Sequence, residues 1–339
     1  VAVIETDRRR LQDVEDKLDV LVVEGSGTHP MVLEQAGLNR AELLVAVTSN
    51  DEVNLIAALL AKQAGVARTV VRIEAENLRG RAAQQLRQAI GADLVIDPDD
   101  ETAAEILELL EAPGATEIAH LAAREVIVIG TTLQQGAPLC GQTLSAIAAQ
   151  YEPDWDFLVA ARTRDGDTII PRADERLEPN DHLWVVAKRK AKRDVQRLLG
   201  LEAGTYRRVL LLGGGRTAEI VARSLSERPG AVTLIERDTI RARELAEKLE
   251  GVLVIEGDIT DAELLAAEEA GSYDAVAALT GQDDANILAC LYAKSLGARE
   301  TIATLHRLKL RELLTEVGID VALSPRTASA NGVLRFVRG

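Results

Sequence analysis

Aromatic residues are nearly missing from this chain: Phe, Trp and Tyr together make 2% of its 339 residues. A core built without them rests on Ala, Val, Leu and Ile, the palette of parallel sheets buried on both faces. Cysteine is scarce too. Cys140 and Cys290 stand far apart and form no CxxC pair. That argues against a disulfide scaffold or a thiolate zinc site and fits a reducing compartment. Each cysteine reads as a small buried residue. Four histidines, His29, His120, His182 and His306, lack the i,i+4 spacing of a metal site. No run of 18 apolar residues exists, so no spanning helix is expected. Positive charge is short: 39 Lys and Arg face 54 Asp and Glu, a net charge of −15. Nucleic acid needs a basic surface, and so does attraction to anionic lipid, so neither is an expected partner. The local sequence holds no Ser/His/Asp or Cys/His arrangement.

What is present starts at Val209-Leu210-Leu211-Leu212-Gly213-Gly214-Gly215-Arg216-Thr217-Ala218. A short apolar run suits a buried parallel strand. The three glycines and the helical pattern after them give the strand–turn–helix context in which G-x-G-x-x-G/A marks a dinucleotide site. Gly213 allows the tight turn, Gly215 lets backbone approach a pyrophosphate, and Ala218 takes the small third position. The free N–H groups at the helix start, from Arg216 and Thr217 on, face the anion. Val232 to Glu236 reads as the next strand. Glu236 lies 23 residues after Gly213, near the ~20 expected for a ribose-binding acid.

The chain alternates strand and helix from its first residue, which means βαβ units and a parallel sheet. Strands are expected at 1–5, 20–23, 43–47, 70–73 and 94–96. Helices are expected at 8–18, 29–36, 52–64 and 82–90. The same module then recurs. Leu234-Ile235-Glu236-Arg237-Asp238 matches Val3-Ile4-Glu5-Thr6-Asp7 at an offset of 231. Glu256-Gly257-Asp258 matches Glu24-Gly25-Ser26, and Thr280 to Asn286 matches Thr48 to Asn54, both at 232. Gly318-Ile319-Asp320 matches Gly91-Ala92-Asp93 at 227, and Ser324-Pro325 matches Asp97-Pro98. Segments that agree with so little drift indicate duplication of a whole domain. By this offset Val1 corresponds to Val232, so the strand, glycine loop and helix of 205–231 have no first-half counterpart. A sheet without its central strand would leave ladder groups unpaired. A truncated or unobserved N-terminus is therefore expected.

Between the modules the pattern changes. Strands are expected at 125–130, 157–162 and 182–187, with a hairpin at Asp165-Gly166 and a returning edge at 168–171. Gly136 to Leu144 leads into a short helix, and Leu177-Glu178-Pro179-Asn180-Asp181 reads as a turn. The basic run at 188–193 reads as the solvated face of a helix, or else as a contact for an acidic partner. The expected organisation is α/β. A Rossmann-like domain spans 1–111, a small α+β domain 112–200 and a second Rossmann-like domain 205–339, with no second copy of the small domain.

This order, with Leu212-Gly213-Gly214-Gly215, Ile235-Glu236-Arg237-Asp238, Glu24 to Pro30, Val45 to Asn54 and the turn at 177–181, resembles the TrkA family. Those are tandem RCK (regulator of conductance of potassium) proteins of bacterial Trk-type potassium uptake systems. The resemblance covers essentially the whole chain. The absent first glycine loop and final RCK C-terminal subdomain depart from it. It implies a cytoplasmic regulator, not an enzyme. Such a protein binds NAD(H) or adenine nucleotides (ATP, ADP) in its Rossmann-like domains. It assembles as a homo-oligomeric ring, dimer or tetramer, at the inner face of the plasma membrane, and gates a Trk-type membrane potassium channel subunit without inserting into the bilayer itself.

Within that frame the candidate cofactor-binding residues fall into place. Glu5 and Glu236 accept from ribose hydroxyls, or are exposed strand-end acids. Arg237 meets adenine or phosphate, or solvent, and Thr6 follows Glu5 in the same position. Asp258 with Ile259, and Ser26, sit where an adenine edge passes, or serve as turn residues. Thr48-Ser49 and Thr280-Gly281 lie beside the pyrophosphate and nicotinamide ribose. Asp51 and Asp283 read as helix N-caps. The resemblance makes Arg72 a nucleotide contact, which Thr304 does not repeat. Two other readings stay open. One is an NAD-dependent dehydrogenase, though neither a Tyr-x-x-x-Lys pair nor an evident acid/base cluster accompanies the motif. The other is a nucleotide-binding regulator of a different transporter.

Overall fold

The structure, a computed structural model, describes residues 1–74, 85, 88–121, 125–151, 156–201, 206–307, 310, 314 and 317–338. Two compact units divide the chain: 1–101 with 329–338, and 102–328.

In the first unit β1 (Ala2–Glu5) and β2 (Leu21–Glu24) pair in parallel, and β3 (Leu43–Ala46), β4 (Arg68–Arg72) and β5 (Leu94–Ile96) form a second parallel sheet in that order. The helices between them, Arg8–Lys17, Pro30–Gln35 and Asp51–Gln63, begin at the expected start or one residue from it. Asp7 caps the first by accepting from the Arg9 and Arg10 amides. Pro30 stands at the first turn of the second, where its missing N–H costs nothing. Most of the expected helix at 82–90 lies outside the described residues.

Next in the chain comes a helix, Pro98–Leu110, that the sequence reading did not place and whose first four residues still belong to the first unit. Ala103, Ile106, Leu109 and Leu110 form its buried stripe, at the i, i+3, i+6, i+7 spacing of an inward face. Then come β6 (Ala115–Leu121), also unplaced, and β7 (Val126–Thr132), β8 (Phe157–Arg164), β9 (Asp167–Ile169) and β10 (His182–Lys188). They make one antiparallel sheet in the order β6-β7-β10-β8-β9. The β8–β9 turn puts Asp165 and Gly166 at φ 51° and 84°, as a two-residue type I′ hairpin requires. The turn at 177–181 is tied by Asp181. Its fully buried carboxylate takes both arms of the Arg164 fork, at 2.6 and 2.8 Å, and the Glu178 amide at 2.8 Å. In the basic run, Lys188 and Lys190 both reach Asp156, at 3.2 and 3.1 Å.

The rest of the second unit is a six-stranded parallel sheet: β11 (Arg208–Leu212), β12 (Ala231–Glu236), β13 (Val252–Glu256), β14 (Ala275–Ala278), β15 (Glu300–Thr304) and β16 (Val321–Leu323). Its order, β13-β12-β11-β14-β15-β16, is the 3-2-1-4-5-6 order of a doubly wound fold. β11 is central and buried on both faces. Val209 and Leu211 enter one core cluster, and Leu210 and Leu212 the other, which explains its unbroken apolar run. Cys290, on the helix Asp283–Leu296, is fully buried with its Sγ 3.5 Å from the Ile302 carbonyl, and burial pushes its thiol up to about 12.

The duplication is visible in register. Ala2 stands opposite Leu21 as Thr233 does opposite Leu253, and Leu43 stands opposite Arg68 as Ala275 does opposite Glu300. β1 and β2 thus correspond to β12 and β13, and β3 to β5 correspond to β14 to β16. The counterpart of β11 has no strand among the described residues of the first unit. No helix among the described residues is long and apolar enough to cross a membrane.

Candidate functional site: the crevice at the carboxyl ends of β11 and β14

Strand order reverses between β11 and β14, and the crevice beyond their carboxyl ends is where doubly wound sheets take ligands. Gly213 leaves β11 at φ 100°, which a side chain resists. A Cβ there would lie 2.6 Å from the Thr280 Cγ2 after β14, so the two strand ends touch. Gly215 is the N-cap of the helix Arg216–Ser226 and has no side chain to close its N-terminus. A Cβ on Gly215 would meet only the Leu279 carbonyl, at 3.7 Å. Space is left open at the N-terminus of the helix, the positive end of its dipole.

Glu236, at the end of β12, turns its carboxylate toward the loop. One oxygen accepts from the Gly214 amide at 2.5 Å and the other from the Asp238 amide at 2.7 Å. Arg237 leans to Asp258 with 3.7 Å between charged atoms. Asp258 closes a small turn with the Thr260 amide and hydroxyl, at 2.8 and 2.7 Å, and those bonds hold its carboxyl below the usual range. Ile259, beside it, is buried in the core cluster with Ile235. Gly281 has open space around its α-carbon.

The loop is braced from behind. Arg241 donates through Nε to the Gly214 carbonyl at 3.0 Å and through Nη2 to Glu219 at 2.6 Å. Glu219 is buried and also meets Arg223 at 3.0 Å and Arg216 at 4.0 Å. Burial alone would raise its carboxyl; the Arg241 bond together with the charges of Arg241, Lys248 and Arg216 outweighs that and keeps it low.

Across the crevice, fully buried Asn286 clamps the end of β14. Its Oδ1 takes the Thr280 amide and hydroxyl, at 3.1 and 2.5 Å, and its Nδ2 donates to the carbonyls of Thr280 and Thr304, both at 2.9 Å. Asn54 repeats this on Thr48 and the Arg72 carbonyl, at 2.7 to 3.0 Å. The expected N-caps need correction. Asn50 and Gln282 occupy the cap positions, while Asp51 and Asp283 are the first helical residues. Their carboxylates reach the next loop. Asp51 accepts from the Glu74 amide at 3.0 Å, and Asp283 accepts from the amides of His306 and Arg307 at 2.8 and 3.0 Å.

In the first unit the remaining candidates sit at corresponding strand ends. Glu5 accepts from the amides of Asp7 and Thr6, at 3.0 and 2.7 Å, and the Asp7 bond leads in holding its carboxyl low. Ser26 bonds Thr28 at 2.9 Å. Thr48 and Ser49 follow the end of β3, and Arg72 reaches the Thr48 carbonyl at 3.4 Å while pairing with Glu74. In the second unit Thr304 donates to the Ala278 carbonyl at 3.1 Å instead.

Comparison with known proteins decides the family. Residues 1–98 and 209–325 match the TrkA-N domain, and 127–200 match the TrkA-C domain. The chain belongs to the TrkA family. Across its whole length it is 36% identical to the Trk system potassium uptake protein TrkA homolog of Archaeoglobus fulgidus, of which it spans 76%. Among solved structures, the GsuK channel bound to NAD is similar over 99% of this chain and 59% of its own, at 18% identity and a TM-score of 0.66. GsuK bound to ADP is similar over 99% and 62%, at 14% identity and a TM-score of 0.57.

Several residues that shape this TrkA-family crevice escaped the sequence reading. Arg241 reads as one more solvated cation. Glu219 was the available signal, because it falls on the buried stripe of its helix beside Ala218, Val221, Ala222 and Leu225; a carboxylate there demands a partner. Asn54 and Asn286 were matched by the repeat but taken only as first-turn residues.

Proposed function

We propose that this TrkA-family chain is a nucleotide-sensing regulatory subunit of a membrane potassium uptake system, with NAD(H) or an adenine nucleotide bound at the β11–β14 crevice. The observation that carries the reading is the open helix N-terminus at Gly215, facing Glu236 and Thr280 across the strand-order reversal. The residues present suit such a ligand. The amides of Gly215, Arg216 and Thr217 would take the pyrophosphate. Glu236 would accept from the adenosine ribose, since each carboxylate oxygen keeps a lone pair beyond its backbone bond. Arg237 and Asp258 would border the adenine, and Thr280 and Gly281 the second ribose. Glu5, Thr6, Ser26, Thr48, Ser49 and Arg72 would form the corresponding site in the first unit. The NAD-bound and ADP-bound GsuK structures support a ligand of this class.

A ligand that prefers one arrangement of the modules shifts their population by its difference in affinity. In a homo-oligomeric ring beneath a Trk-type potassium channel subunit, that shift would be the gating signal. The chain would act in the cytoplasm, at the inner face of the plasma membrane, through its partner. Titration of NADH, NAD, ADP and ATP by calorimetry, with potassium flux through the reconstituted channel subunit as the second readout, tests the reading. Binding without any change in flux would remove the regulatory part.

Two substitutions probe the crevice itself. Gly215→Asp fits the empty protein, so the variant should fold and melt like its parent. Its carboxylate would point where a pyrophosphate lies, and the Kd for NAD should rise at least tenfold, about 1.4 kcal/mol. Unchanged affinity would sink the assignment. Glu236→Ala should cost about 1–3 kcal/mol of NAD affinity, the scale of a charged hydrogen bond. If no nucleotide loses affinity, the acid only supports the loop.

A further inference from the structure

The duplication supplies an internal control for one strand. β4 and β15 hold the same place in their modules, and their second residues do the same work. The Thr69 amide donates to Asp93 at 2.7 Å, and Asp93 is held by Lys62 at 2.7 Å. The Thr301 amide donates to Asp320 at 2.8 Å, and Asp320 is held by Lys294 at 2.7 Å. The two strands differ at their ends. β4 starts on exposed Arg68 and ends on Arg72, whereas β15 starts on buried Glu300 and ends on buried Thr304.

Glu300 is 4% exposed. Its Oε2 accepts from the Gly114 amide at 3.0 Å and from the Tyr206 hydroxyl. Its Oε1 is buried with no hydrogen-bond partner among the described residues. Gly114 in turn accepts, through its carbonyl, from the Thr131 hydroxyl on β7 at 2.9 Å. The start of β15 is therefore tied to the turn before β6, to the antiparallel sheet and to the segment entering β11. A buried carboxylate is an expensive tie, and burial pushes it above the ordinary carboxyl range. The other end of β15 lies at the crevice: the Thr304 hydroxyl takes a bond from Asn286 at 3.2 Å, and Asn286 holds Thr280. All five residues of the strand are buried; β14 pairs with Glu300 to Ala303 and β16 with Ile302 to Thr304. At ~3.3 Å per residue the strand spans about 13 Å.

We propose that β15 is a relay and Glu300 its output: occupancy of the second nucleotide site, felt by Thr280 and Asn286, is transmitted through the strand to Gly114 and the antiparallel domain. The relay rests on the proposed nucleotide reading of that crevice. A strand packed on both faces and bonded at both edges yields as one body, not residue by residue. The coupling it carries is a free energy shared between two sites. The first module, with Arg68 at the equivalent position, has no such output through β4.

The test uses the wild-type chain, Glu300→Gln, Glu300→Ala and Tyr206→Phe, with NAD and ADP as probes. Calorimetry reads affinity, and amide hydrogen exchange reads Gly114 and residues 126–132. In the wild type, bound nucleotide should change exchange there at least threefold. Glu300→Gln keeps an acceptor for both donors and should keep the change. Tyr206→Phe should weaken it. Glu300→Ala should abolish it while the nucleotide still binds within tenfold of wild type. If Glu300→Ala fails to fold, the contrast between Glu300→Gln and Tyr206→Phe carries the test, and equal responses in those two overturn the relay. Nucleotide that binds the wild type without changing exchange at Gly114 overturns it as well, as does an undiminished change in Glu300→Ala. If neither nucleotide binds the wild type, the crevice reading fails and the relay falls with it.

Discussion

Asn286→Ala should lower the stability of the second unit by roughly 3 kcal/mol, as two buried groups at about 1–3 kcal/mol each lose their partners. The Thr280 amide and the Thr304 carbonyl are both held by this one fully buried side chain. Its removal also leaves a void no neighbour can fill without moving β14 from β15. Asn286→Asp separates the causes. It keeps shape and the acceptor for Thr280, but loses both donors and buries a charge, so it should cost at least as much. Urea midpoints and slopes measure both. A loss below about 1 kcal/mol for Asn286→Ala would show that water replaces the clamp. Asn54→Ala is the matching change in the first unit.

Asp181→Asn should cost about 1–3 kcal/mol, because the partly exposed Arg164 keeps its pair with Glu178 at 3.0 Å but loses the charge of its buried partner. The substituted amide keeps one oxygen for one arm of the Arg164 fork and turns an N–H₂ donor toward the other. Burial by itself would raise the Asp181 carboxyl, but the Arg164 bonds and the Glu178 amide outweigh it and hold the group below its ordinary value. The sign follows. A carboxyl with a lower value folded than unfolded contributes stability that is complete above ~4, its unfolded value, and is lost as pH falls through the folded one. Thermal melts between neutral pH and pH 3 should therefore show the wild type losing its advantage over Asp181→Asn on acidification. A constant gap across that range would mean that the pair contributes through shape alone.

The duplication was legible because strand ends carry distinctive residues: Glu5 and Glu236, Thr48 and Thr280, Asp93 and Asp320. The structure gives the threonine and aspartate pairs the same bonds, and Glu5 and Glu236 each accept from the amide two residues on, so the matches reported local geometry and not only ancestry. Other parts were illegible for physical reasons. The helix Pro98–Leu110 does carry a start signal, a proline at its first position with three acids behind it, but it sits where the module pattern was expected to end. β6 lost its period-2 alternation to the bulge between Ala115 and Glu117, which shifts side chains from one face to the other. Asp51 and Asp283 looked like caps because a cap and a first-turn acid differ by one residue in sequence. Arg241 and Glu219 are 22 residues apart, and no local pattern reports a pair made across a loop. The glycine motif and Glu236 were legible as types. That Glu236 already holds the loop through the Gly214 amide was not.

The burial of Cys290 has a practical consequence. With that thiol shut between its helix and the six-stranded sheet and pushed up to about 12, a maleimide dye at neutral pH has one other thiol among these residues to find, the half-buried Cys140. Over these 339 residues a maleimide is thus expected to label at Cys140, and movements there can be watched in real time.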